Sequence, residues 1–323
     1  MSLDISVVAL SAEQAARRIS ELVPETPLER SPFFSEKLSA EVYLKLENQQ
    51  RTGSFKLRGA SNRLMTLSAE QRAKGCVAAS SGNHGAAVAY AMRALDANGV
   101  IFVPEQTSKA KVEAIRNYGG DVRFFGSDGL DTEQHARQFA EINGMFYLSP
   151  YNDEEVIAGQ GSCGIEIADQ LADADAVFVA VGGGGLISGV GSVLKTKNPD
   201  IHLVGCQPDA SAVMAKSVEA GHILDIPSDP TLSDGTAGGI EAGSITFDIC
   251  RQLVDEFVLV SEAEIAQAMR EFSAEQQSEI EGAAGVAIAA MGRCRRSIAG
   301  KKVVVIVCGG NISQETLDAS RGL

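Results

Sequence analysis

Lys56 lies in the run R-T-G-S-F-K-L-R-G-A, residues 51–60, between Phe55 and Leu57, in what reads as the start of a packed helix. Its amine could reach water along an apolar stem, or it could serve as a nucleophile. A lysine by itself does not decide, but three loops bear on the choice. S-S-G-N-H-G, Ser80–Gly85, sits between a strand pattern and a helical one. Small residues at such a turn aim several backbone N–H groups at one place, which suits a carboxylate; a tight turn with an N-cap explains the same residues. His84 could be a base there, or be satisfied by a backbone carbonyl. G-G-G-G, Gly182–Gly185, follows the apolar strand A-V-F-V-A-V. Four glycines cost chain entropy, and at a helix N-terminus the group that comes this close to the backbone is usually a phosphate. Neither G-x-G-x-x-G at this run nor G-x-x-x-x-G-K-[ST] anywhere in the chain is present, so a phosphate is implied but not a nucleotide. C-G-G-N, Cys308–Asn311, ends the strand K-K-V-V-V-I-V. Ligands gather at the carboxyl ends of strands in open α/β sheets; alone, this loop reads as a plain turn.

The elements that must position these loops alternate between short apolar runs and helical patterns, the mark of βα units and parallel sheets. Strands are expected at 42–46, 76–79, 100–103, 122–125, 145–148, 176–181, 202–206, 257–260 and 303–307. Nine strands are many for one sheet, so two sheets are expected. Capping boxes at Ser11/Gln14, Ser68/Gln71 and Ser261/Glu264 mark helix starts. The alternation from 68 to 153 reads as a small domain, with 1–67 and 154–323 forming a larger one.

Bulk properties narrow the function class. The 323 residues are 45% apolar, enough for a sizeable core. Lys+Arg 28 against Asp+Glu 42 gives 28 − 42 = −14, which argues against nucleic acid or an anionic membrane and for a small-molecule substrate. The N-terminus has no basic lead before its short apolar run, so no signal peptide is expected. No stretch reaches the roughly 20 apolar residues of a membrane span. The six cysteines are scattered without a C-x-x-C pair, suggesting neither zinc nor a disulfide framework and fitting a reducing cytoplasm.

Taken in order, G-S-F-K-L-R-G-A, S-S-G-N-H-G, V-I-A-G-Q-G, G-G-G-G-L, E-G-A-A-G and C-G-G-N resemble the serine/threonine dehydratase and serine racemase family of pyridoxal-phosphate enzymes. The resemblance runs from T-P-L at Thr26–Leu28 through Asn311. It implies an α/β, fold type II architecture, like the tryptophan synthase β subunit: open parallel-rich sheets flanked by helices, in two domains with pyridoxal 5'-phosphate in the cleft. It implies Lys56 as the Schiff-base lysine, Gly182, Gly183, Gly184 and Gly185 with Leu186 around the phosphate, Asn83 on the ring oxygen and Phe55 beside the ring. Ser80, Ser81, Gly82, Asn83 and His84 would hold the substrate carboxylate, with Tyr151 on the substrate side. The implied activity is elimination of water from a 3-hydroxy amino acid, giving a 2-oxo acid and ammonia. Ser81 on the opposite ring face would allow racemisation as an alternative. A catalytically silent sensor would be expected to have lost Lys56. A homodimer is expected.

The chain departs from the family pattern at several places. Cys308 stands where serine often faces the pyridine nitrogen, and a neutral thiol is expected there. Gln207 and Val213 replace acids of the family's cation site, so no metal is expected. With the sequence ending at Leu323, neither the C-terminal regulatory domain of biosynthetic threonine dehydratases nor feedback by isoleucine is expected. Gly238 and Gly239 stand where some racemases carry serines, which could make room for a side chain larger than serine's; the 3-hydroxy amino acids as a class fit, namely threonine, serine, 3-hydroxyaspartate, phenylserine or an intermediate of hydroxyectoine breakdown.

Overall fold

A computed structural model describes residues 4–323; the sequence reading of Met1–Leu3 lies outside them. Among the described residues there are ten strands: β1 Leu28–Arg30, β2 Glu41–Lys45, β3 Cys76–Ala79, β4 Gly99–Val103, β5 Asp121–Phe124, β6 Phe146–Tyr147, β7 Ala176–Ala180, β8 His202–Pro208, β9 Glu256–Val260 and β10 Lys302–Ile306. They form two sheets, of order β1-β2-β10-β7-β8-β9 and β5-β4-β3-β6. Every pairing is parallel except β1 with β2. The central strands Ala-Val-Phe-Val-Ala and Lys-Val-Val-Val-Ile are apolar along nearly their whole length because helices cover both faces of a parallel sheet.

All nine strands expected from the sequence are present. The tenth, β1, is a three-residue antiparallel edge strand in register Leu28↔Lys45, too short to leave a pattern. The boxes at Ser68 and Ser261 cap helices reciprocally with Gln71 and Glu264. The Ser11 box is corrected: its helix runs Ile5–Ile19 and Asp4 caps it through the Ser6 N–H. The buried stripe Val8, Ala12, Ala15, Ile19 begins before Ser11, so apolar burial sets the start.

Because the strands are parallel, the loops after β7 (Gly182–Gly185), β10 (Cys308–Asn311) and β3 (Ser80–Gly85) all leave carboxyl ends. The helix Lys56–Thr66 joins the two halves: Leu57, Ala60 and Leu64 pack with Ala78, Ile101 and Val103 of the smaller sheet. On another side the helix meets Glu154–Gln170. A Cβ on Gly159 would lie 2.6 Å from the Arg58 carbonyl oxygen and from the Gly59 Cα, so glycine is required there for backbone to touch backbone. Gln160 then accepts from the Gly59 N–H at 3.2 Å. The V-I-A-G-Q-G run is thus the seat of the lysine helix.

Candidate active site

The segment before Lys56 is laced to the loop after β10. Phe55 N–H donates to the Cys308 carbonyl at 3.1 Å, Gly310 N–H to the Gly53 carbonyl at 2.9 Å, and Ser54 bridges Gly309. Lys56 therefore starts its helix beside the end of β10. Its Nζ donates to the Pro150 carbonyl at 3.1 Å and lies 5.2 Å from the Phe55 ring centroid. Burial pushes the amine down to about 8, while the nearby Glu281 and Cys308 pull it back up. The snorkelling reading fails, since this ammonium is turned inward to a backbone carbonyl.

The residue after Pro150 covers the glycine run. The Tyr151 ring lies so close to Gly183 that a Cβ there would sit 2.4 Å from Cδ1 and Cγ, and one on Gly185 would sit 3.0 Å from the Tyr151 Cβ. Gly184 has φ 85°, caps the helix Gly185–Lys197 and has no side chain to satisfy its first N–H groups. What remains is a backbone-only surface with free donors at a helix N-terminus, which fits a phosphate. Leu186 is buried in the core of the larger sheet, so only its backbone is available to a ligand. Tyr151 OH accepts from the Glu241 N–H at 2.9 Å, tying the ring to the loop that carries Gly238 and Gly239. Gly238 has φ 113°, a conformation that by itself calls for glycine; at Gly239 a Cβ would meet nothing within 4 Å.

Across the cleft, Gly82 caps the helix Asn83–Ala94 without a side-chain bond to its first turn. Ser80 Oγ accepts from the Gly82 N–H at 3.2 Å, and Ser81 is partly exposed in the same loop. His84 Nε2 lies 3.0 Å from the Leu148 carbonyl, which makes it the donor. Burial and then Lys56 push His84 down to about 3, against the opposing carbonyl. The imidazole is neutral and occupied, not poised as a base. Asn83 does reach the other half of the molecule: its Nδ2 donates to Glu281 Oε2 at 2.7 Å and its Oδ1 accepts from Asn311 Nδ2 at 2.7 Å. These bonds and close approaches bring Phe55, Lys56, Asn83, Tyr151, Gly183 and Cys308 into one neighbourhood. Among the described residues no side-chain hydrogen bond joins Ser80 or Ser81 to that group.

Cys308 is buried, and burial together with the Glu281 carboxylate pushes its thiol well above the ordinary range, so it is neutral. Two site residues escaped the sequence reading. Glu281 opens the E-G-A-A-G run and Asn311 closes C-G-G-N; an acid just before a glycine-rich helix start was the available signal.

Gln207 has its own geometry. Its Nε2 donates to the Val181 carbonyl at 2.9 Å and approaches that of Ser211 at 3.5 Å, while Oε1 accepts from the Ala215 N–H at 2.7 Å. A buried donor thus sits between carbonyls where the family pattern has an acid. Gln207→Glu turns that donor into an acceptor facing two carbonyls. A loss of about 1–3 kcal/mol in stability is expected, read as a lowered midpoint in thermal or urea unfolding; an unchanged midpoint refutes the pairing.

The model of the family described as pyridoxal-phosphate dependent enzymes matches residues 19–309. The chain is 38% identical to the catabolic L-threonine dehydratase TdcB of Escherichia coli over 97% of this chain and 95% of that one. Among solved structures, the processed threonine deaminase isoform 2 of Solanum lycopersicum superposes with TM-score 0.95 at 34% identity, covering 99% of this chain and 94% of that one. Maize serine racemase gives 0.91 at 32% identity, covering 97% and 96%. The chain therefore belongs to the pyridoxal-phosphate dependent enzyme family, and pyridoxal phosphate is its cofactor.

Proposed function

We propose that the protein is an ammonia-lyase of the serine/threonine dehydratase type, removing water from a 3-hydroxy amino acid to give a 2-oxo acid and ammonia. The observation that carries this reading is the placement of the Lys56 amine, bonded only to a backbone carbonyl, one residue from the tyrosine that covers the glycine run. The named relatives, dehydratases and deaminases of threonine, support the substrate class.

Bound pyridoxal phosphate would supply an electron sink for a carbanion next to the amino group. Lys56 would attach the cofactor and, once displaced by the substrate amine, would take the α proton as a free amine. The N–H groups of Gly182–Gly185 would hold the phosphate. Asn83, oriented by Asn311 and Glu281, would give its second N–H to the ring oxygen, and Phe55 would flank the ring. The neutral thiol of Cys308 would face the ring nitrogen as a weak partner. N–H groups of the uncapped turn Ser80–His84 would take the substrate carboxylate, and the neutral His84 would hold that turn to Leu148. In this reading 68–153 is the mobile small domain, and the protein works as a cytoplasmic homodimer. Among the described residues no helix is long and apolar enough to cross a membrane.

The test is the absorbance spectrum of the purified protein, followed by assay against threonine, serine, 3-hydroxyaspartate and phenylserine. A colourless protein without phosphate cofactor, or a coloured one inert to the panel, refutes the reading.

Racemisation is the second reading, favoured by the similarity to maize serine racemase. It needs a proton donor on the face opposite Lys56, and Ser81 is the residue so assigned. Ser81→Ala should remove any formation of the D-amino acid while elimination of the L-substrate falls by less than about tenfold. Equal loss of both activities would mean that Ser81 only positions substrate.

A further inference from the structure

Glu281 is the N-cap residue of the helix Gly282–Arg293, yet its side chain makes no capping bond. The carboxyl turns away from its helix and into the cleft. Oε2 accepts from Asn83 Nδ2 at 2.7 Å, and Oε1 lies 3.8 Å from the Cys308 sulfur. Gly309 makes room for it: a Cβ there would sit 2.6 Å from Oε1. A chain of unambiguous donors leads to the same point. Asn311 Nδ2 donates both to the Thr52 carbonyl and to Asn83 Oδ1, at 2.7 Å each, which leaves Asn83 Nδ2 as the atom facing Glu281.

One buried carboxyl thus touches both residues that, in the reading above, would meet the cofactor's ring oxygen and ring nitrogen. We propose that Glu281 is a positioning residue of the cofactor site: it fixes the Asn83 amide and competes with the cofactor for the Cys308 thiol proton. When ionised, the carboxylate accepts from both the amide and the thiol. When neutral, it still accepts from Asn83 but releases the S–H toward the ring nitrogen. The proton exchanged comes from solvent, and no carbon bond changes.

The surroundings place this exchange in an accessible range. Burial raises the carboxyl and the Asn83 bond opposes it; Asp234, in the turn 234–236, adds to the rise, while Lys56 and Cys308 oppose it, the balance lying at about 7. Asp234 is itself paired with Lys111 at 3.2 Å, and the nearby His84 is neutral. Glu281 is therefore neutral below about pH 7 and ionised above it.

The inference rests on Asn83 and Cys308 flanking the cofactor. The experiment is a pH titration of the cofactor absorbance in the holoenzyme, in Glu281→Gln and in Cys308→Ala. The parent should show a transition near pH 7. Glu281→Gln, which keeps an acceptor for Asn83, should retain the cofactor with affinity within about tenfold and lose the transition. Cys308→Ala should shrink its amplitude with Glu281 intact. A transition that survives unchanged in Glu281→Gln, full amplitude in Cys308→Ala, or loss of cofactor from Glu281→Gln each overturns the proposal. A parent without cofactor absorbance would instead overturn the underlying reading, before any variant is made.

Discussion

Lys56→Ala is expected to abolish turnover, by at least about ten-thousandfold, and to remove the borohydride-reducible link between protein and cofactor. The geometry leaves no substitute. Lys45, the nearest lysine in sequence, is fully buried and committed to Glu166 at 2.6 Å and to the Thr26 carbonyl at 2.8 Å. Lys56, by contrast, has one backbone carbonyl as its bonded partner and an amine brought down to about 8. Only a neutral amine attacks an aldehyde. Reconstitution of the apo-protein should therefore accelerate as pH rises through about 8 and slow below it. The glycine cradle is untouched in Lys56→Ala, so phosphate-end binding should persist and fluorescence should still report non-covalent uptake of cofactor. A reducible link in the variant, or substantial activity, would assign the chemistry to another group.

The same residues show how far the sequence could be read. Gly182–Gly185 were legible because four consecutive glycines are costly on structural grounds alone and call for a ligand, whereas Lys56 alone was undecided and was assigned only through the ordered motifs that resemble the family. The strands were legible because parallel sheets bury both faces and leave long apolar runs. Glu281 was missed although its place before a glycine-rich helix start was a signal, since an acid there ordinarily reads as a cap and only the fold reveals that it caps nothing. For His84 the blander reading, a histidine satisfied by a backbone carbonyl, holds, but that the carbonyl is Leu148, 64 residues away, only the fold could say. Ser11 misled because a local capping pattern was overridden by a stripe buried against the rest of the molecule. These failures share a cause: each depended on a partner distant in sequence.

Arg58→Met is expected to cost about 3–5 kcal/mol of stability, from a residue two positions after the lysine and outside the cleft. Arg58 is almost fully buried and holds Glu47 in a bidentate pair, Nε to Oε2 at 2.8 Å and Nη2 to Oε1 at 2.7 Å. It also reaches Glu166 Oε1 at 2.6 Å and Ser162 at 3.0 Å. Lys45 and Arg58 balance Glu47 and Glu166, so the cluster is neutral, and it joins β2, the lysine helix and the helix Glu154–Gln170. Methionine fills a similar space but leaves Glu47 buried with Thr26 and a more distant Lys45. The pH dependence distinguishes this loss from simple repacking. In the parent, burial would raise Glu47, but Arg58 holds it below its ordinary value. Its contribution is therefore present above about pH 4.5 and is lost only as pH falls through that depressed value. Without Arg58, burial prevails and the carboxyl rises above its unfolded value. The variant must then lose stability as pH rises through the raised value. Urea unfolding at pH 5.5 and pH 8 should show a gap from the parent that widens at the higher pH. A gap that is equal at both, or smaller at pH 8, would mean that Glu47 is solvated without Arg58 and that the pair does not hold the seat of the lysine helix.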